Sequence, residues 1–250
     1  MDSHVQKKFM DLWQKYFDNA ELPIAFYYTD DPKEAEPAEK PSGHHCLISD
    51  LNKVREGRTI AFNKDNIGCS GGRRYAGFSR DLPDDFPYFL SCGLPDKMEG
   101  ERYKMAPYLV EDMMKYVPEV KHEGEWMVFK RWDKLTETDE PDVVIVFAEA
   151  DVLSGLFMLA NFDYAEPNGV KTPMTSGCGS IILYPFAEKD KENPASIIGM
   201  FDPSARPHIQ SHKLTFAAPM NRFDQLIGYM EGSFLMSDLW KEITDRKSVV

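Results

Sequence analysis

Residues 142–148 read DVVIVFA, apolar almost without a break. A strand with one wet face alternates apolar and polar side chains, whereas an unbroken apolar run of this length fits a strand covered on both faces. DVLSGLFMLANF (151–162) follows, long and apolar enough for a buried helix. A strand covered twice needs helices above and below it. The pair therefore predicts an α+β fold, a single mixed sheet with packed helices, in one domain over residues 1–250.

Upstream, Val5, Phe9, Leu12, Trp13, Tyr16 and Phe17 recur at helical spacing and predict a helix over 4–19. IAFYY (24–28) predicts a short strand, and DDPKEAEPAEKPSG (30–43), rich in Pro and Glu, an exposed loop. CLISDLNKVREG predicts a helix from Cys46 stopped by Gly57 at C′, followed by the strand RTIAF (58–62). Residues 80–100 read as irregular and RYKM (102–105) as a strand, after which Pro107 opens a helix running to Pro118.

WMVFKRW (126–132) alternates as a strand does. Thr175 or Ser176 can cap a helix through SGCGSIILYPF. ASIIGMF (195–201) and HKLTFAA (212–218) predict strands around the turn DPSARP (202–207). Pro219 starts a helix ending near Glu231, and a last helix covers 234–243.

The order repeats, with half-repeats over 20–120 and 140–235 expected from an internal duplication. Cys46 to Arg74 spans as many positions as Cys178 to Arg206, and Ala106-Pro107 has a counterpart in Ala218-Pro219. The alternative is plain α+β regularity, in which strands and helices alternate because they pack.

Net charge is −12, and no run of basic residues is longer than a pair such as Arg73-Arg74, which argues against nucleic acid. The chain has no apolar run long enough for a bilayer, and MDSHVQKKFMDLWQKYF lacks the apolar core of a signal peptide. The expectation is a cytoplasmic protein. Four cysteines, Cys46, Cys69, Cys92 and Cys178, include no CxxC pair. In a reducing compartment such thiols are buried, metal-binding or reactive rather than disulfide-bonded.

The densest chemistry is IGCSGGRR (67–74). It has neither the glycine spacing of a dinucleotide loop nor the Gly-Lys-Ser/Thr of a Walker loop, and it is not a GxSxG elbow. What is left is a turn whose glycines, Gly71 and Gly72, can take positive φ beside Cys69, Arg73 and Arg74. Cys46 and Cys178 each stand at a helix start, where the dipole favours a thiolate. Cys46, Cys69 and Cys178, with His44, His45 or Cys92 as the fourth ligand, would suit zinc or an iron–sulfur cluster. Arg73, Arg74 and Arg206 would clamp a small anionic ligand. Against this, free cysteines are commonly inert core residues.

The order of HHCLISDLNKVREG, GCSGGRRYAGF, PDVVIVFAEADVLSGLFMLANF, DPSARP and LTFAAPMNRFDQLIGYME resembles the uncharacterised ArCR family, domain of unknown function 169. The resemblance covers about residues 20–235. It implies a mixed α+β fold and recurring cysteines, and it supplies no activity. It also implies a further thiol near the second-half turn. GMFDPSARP has none, so a four-cysteine centre needs Cys92 instead.

The functional expectation is a metal, iron–sulfur or small-anion site between the halves. One alternative is an enzyme with Cys69 as nucleophile and His44 or His45 as base. The other is a non-catalytic interaction protein, which expects a homo-oligomer.

Overall fold

The computed structural model describes residues 1–18 and 20–246. In chain order the elements begin with α1 (Ser3–Tyr16), β1 (Ile24–Thr29), β2 (Glu36–Pro37), α2 (Leu47–Arg55), β3 (Ile60–Phe62), α3 (Ser70–Tyr75) and α4 (Phe86–Phe89). Next come α5 (Pro107–Met114), β4 (Trp126–Arg131), β5 (Val143–Ala148), α6 (Ala150–Leu159) and β6 (Val170–Lys171). A π-helical stretch Gly179–Leu183 leads into α7 (Tyr184–Glu188), and β7 (Ser196–Gly199), β8 (Leu214–Pro219), α8 (Met220–Tyr229) and α9 (Asp238–Asp245) follow.

The eight strands form one mixed sheet in the order β2-β3-β4-β1-β5-β8-β7-β6. The α+β expectation holds. β1 and β5 lie antiparallel at the centre, Ile24 opposite Ile145 and Phe26 opposite Val143. Every residue of β5 is buried. Its side chains alternate between two cores, as the apolar run requires. Val144, Val146 and Ala148 pack under α1, α6, α8 and α9, through Phe9, Trp13, Leu156, Phe223 and Trp240. Val143, Ile145 and Phe147 pack under α2 and the π-helical segment, through Leu47, Ile48, Leu51, Ile181 and Ile182. Each such large side chain taken fully from water contributes about 1.5–3 kcal/mol against the chain entropy lost.

Matching β1–β4 to β5–β8 makes the strand order the same from either edge. In both sets the first strand pairs with the fourth, the fourth with the third, and the third with a short parallel second. α2 and the helix entered at Cys178 hold equivalent crossovers. The first set closes with β4, beyond the half boundary expected at 120. Ala106-Pro107 is also not the counterpart of Ala218-Pro219. Ala106 caps α5 after a bent stretch, whereas Pro219 ends β8 and caps α8.

RYKM forms bends rather than a strand. The Pro/Glu loop contributes β2, whose two residues pair with β3 and bury little. The first helix ends at Tyr16, and position 19 of the expected range lies outside the described residues. Gly57 stands at φ 103° just after α2, as a C′ glycine should.

Candidate functional site

The starts of α2, α3 and the π-helical segment converge at the seam between the two sets of strands. Cys46 is the N-cap of α2, Cys69 is the N-cap of α3, and Cys178 enters the π turn. All four cysteines are free thiols. Cys178 is buried in the core under α2, with Cys46 and Cys69 packed against it. The approach is close on every side. A Cβ on Gly72 would stand 2.8 Å from Cys69 Sγ, and one on Gly177 would stand 2.6 Å from Ala205 Cβ and 3.6 Å from Ile48 Cγ1. Glycine at 177 is therefore a packing requirement, and a side chain at 72 would displace the Cys69 thiol.

IGCSGGRR is not a glycine-hinged loop. Ser70–Tyr75 is helical, neither Gly71 nor Gly72 has positive φ, and Cys69 Sγ accepts the Gly72 N–H at 3.2 Å. The left-handed glycine is Gly77, after the helix, at φ 78°. A helix of only six residues gives weak periodicity, and glycines hid it.

The expectation of acidic thiols at the helix starts fails for both Cys46 and Cys178. Burial pushes the Cys46 thiol up; the N–H groups of Ile48 and Ser49 pull it back, and Cys69 and Asp202 add to the rise. Burial pushes Cys178 well above the ordinary thiol range, and Cys69, Cys46 and Asp202 push it further. Loss of water outweighs the helix-end field. The trio is thus one electrostatic neighbourhood whose buried members are protonated at pH 7.

Asp202 belongs to this neighbourhood and was not singled out by the sequence. Its carboxylate accepts from Gly177 N–H at 3.1 Å, Ser204 N–H at 3.0 Å, Ser204 Oγ at 2.7 Å and Tyr103 Oη at 3.2 Å. The Asp-Pro-Ser turn signature was visible in DPSARP, while the direction of the carboxylate depends on tertiary packing. Burial and the nearby Asp202 carboxylate raise the Tyr103 phenol to about 12, so it remains a donor. The Tyr75 phenol lies against Ser176 and Thr175, tying α3 to the second set. Ser176 caps the helix there, accepting Gly179 N–H at 3.1 Å.

Two irregularities flank Cys178. The helix widens into a π turn over Gly179–Leu183, and Met200 takes φ 70°, a left-handed conformation rare for a large side chain.

The remaining expected ligands are placed apart from the trio. Cys92 is exposed, with Sγ on the Gly93 carbonyl at 3.5 Å, and it is not among the groups acting on Cys46 or Cys178. His44 is exposed, and the His45 Nε2 faces Asp50 at 2.9 Å and Ser49 Oγ at 3.1 Å. Arg206 turns its guanidinium onto the carbonyls of Met200, Gln210, Ser211 and Lys213, stapling its own turn. Arg74 donates to the Arg80 carbonyl. Arg73 makes no side-chain hydrogen bond or ion pair among the described residues. No group of three or more His, Cys, Asp or Glu among them is arranged to hold a metal ion.

The family model for uncharacterised ArCR proteins matches residues 14–228. The chain belongs to the ArCR family. That span takes in the whole sheet and the positions of Cys46, Cys69 and Cys178. No curated protein and no solved structure matches the chain. No helix among the described residues is long and apolar enough to cross a membrane.

Proposed function

We propose that this ArCR protein binds a small thiophilic ligand at the seam, through Cys46 and Cys69 with Cys178 behind them. One observation carries the reading: three free thiols gather at three helix starts, Cys69 beside both Cys46 and Cys178, with the Asp202 carboxylate close to the latter two. Cys46 and Cys69 are half-buried, so a ligand can reach them, while Cys178 forms the floor. Protonated thiols must release protons to a soft ligand, so capture strengthens as pH rises. The arginine contribution narrows to Arg73.

A zinc or iron–sulfur form of this reading needs the thiols to draw together. A duplicated origin of the halves also belongs to the proposal, supported by the strand order. Four free thiols fit a reducing cytoplasm.

The test is protein purified without oxygen, analysed for iron and zinc and by visible spectrum, then titrated with cadmium(II) while thiolate charge-transfer absorbance is followed. Saturable uptake that is lost in Cys46→Ser and Cys69→Ser but kept in Cys92→Ser supports the reading. Bound iron with broad visible absorbance specifies its cluster form. Metal-free protein with four titratable thiols and no saturable uptake sinks it.

A further inference from the structure

The matching ends of the central β1/β5 pair are finished differently. Both strands have six residues, so Tyr28 and Phe147 hold the same position in each. Glu21 precedes β1 at the same distance as Glu140 precedes β5. Lys213 immediately precedes β8, and Glu125 immediately precedes its counterpart β4.

At the Phe147 end the chain supplies its own cations. Glu21 accepts from Arg55 Nε at 2.7 Å and Nη2 at 2.8 Å, and it also accepts from Lys213. The Arg55 guanidinium lies 4.4 Å over the Phe147 ring, and Lys213 is only 8% exposed. The end is closed.

At the Tyr28 end a cleft of about 660 Å³ stays open, lined among others by Tyr28, His122, Glu140, Asp142, Phe186 and Lys189. Its floor is aromatic: Tyr28 stacks on His122 at 3.9 Å and meets Phe186 edge-on at 5.4 Å. Burial holds His122 below the ordinary imidazole range, so it adds no positive charge at pH 7. Asp142 accepts from Lys189 at 3.2 Å and from the Tyr28 N–H at 3.2 Å. Glu140 has no partner among the described residues, and the position corresponding to Lys213 is an acid.

Lysines also line the cleft. Lys33 is bound to Thr138 Oγ1 and Lys189 to Asp142, and Lys121 shares the lining with the acids Asp31, Glu123 and Glu140. The volume lies in the range of small-molecule sites, and the net charge of −12 draws cations toward the protein.

We propose that this cleft binds a small organic amine, whose ammonium group sits between Glu140 and Asp142 as the Lys213 Nζ sits beside Glu21 at the opposite end. The aromatic floor takes the carbon chain and offers ring faces to the charge.

Calorimetric titration of the full chain with butylamine and putrescine tests it, with butan-1-ol and butanoate as the neutral and anionic counterparts. The amines should bind saturably and the counterparts should not. Glu140→Gln should weaken amine binding about tenfold, the loss of one charge-assisted hydrogen bond. Glu166→Gln, an exposed acid outside the cleft, should leave it unchanged. Glu125→Lys, folded by circular dichroism, should abolish binding by placing an ammonium where the other end has one. Equal binding of butan-1-ol, an equal loss in Glu166→Gln, undiminished binding in Glu140→Gln or Glu125→Lys, or no saturable heat would each overturn the proposal.

Discussion

The Met200 N–H donates to Ser180 Oγ at 3.1 Å, and Ser180 donates in turn to the Gly177 carbonyl at 2.8 Å. This link holds a left-handed residue against a π turn, one turn of chain from Cys178. Ser180→Ala would leave a buried N–H unpaired and is expected to cost about 1–3 kcal/mol. Urea denaturation measures that, and mass spectrometry of alkylated native protein should show Cys178 labelling faster.

Gly199 faces the same serine. An added Cβ would stand 2.1 Å from Ser180 Cβ, so it would push β7 and the π-helical segment apart. Gly199→Ala should destabilise by about 1–3 kcal/mol or more, read as a lower urea midpoint with unchanged slope. A midpoint equal to the parent's would contradict this packing.

Asp202 raises both Cys46 and Cys178. Asp202→Asn should therefore move the pH profile of Cys46 alkylation toward lower pH, while losing about 1–3 kcal/mol of stability from weakened hydrogen bonds. A profile that stays put would separate the carboxylate from the thiols.

Native thiols with raised pKa values bind protons more tightly than unfolded ones. The unfolded chain releases those protons from about pH 8.5, so stability should decline from there up to the raised native values. Cys178→Ala should flatten that alkaline slope in a series of denaturation curves.

Acid acts through other residues. For Asp139, burial alone would raise the carboxyl, but hydrogen bonds from Lys130, Tyr27 and Thr136 outweigh it and hold the pKa low. Glu188 is likewise lowered by Lys191, the Ala195 N–H and Lys171 against the opposing effect of burial. Folded values below unfolded ones give stability that is present above about pH 4 and lost as pH falls through the native values. Asp139→Asn, which strands Lys130 beside a neutral amide, is expected to cost about 3–5 kcal/mol and to reduce the acid dependence.

The central strand was readable because burial on both faces leaves no room for polar residues in VVIVFA. Gly57, Pro107 and Ser176 were readable because capping chemistry is local. β2 and β6 were not, since their two-residue pairings are decided by the neighbouring strand rather than by their own composition. The grouping of Cys46, Cys69 and Cys178 followed from the repeated order of elements. Their protonation did not, because burial depends on the side chains that close over each helix start. Arg206 read as an anion donor for the same reason: the sequence shows a guanidinium but not the four carbonyls of its own turn.

The sheet ends on both sides in strands of two residues, Glu36–Pro37 and Val170–Lys171. Pro37 has no N–H to offer, and the other margin carries a lysine. Neither border gives a second chain a run of free amides to zip onto, which guards a sheet of eight strands against fibril-like stacking. Pairing of two copies edge to edge through this sheet is thereby disfavoured.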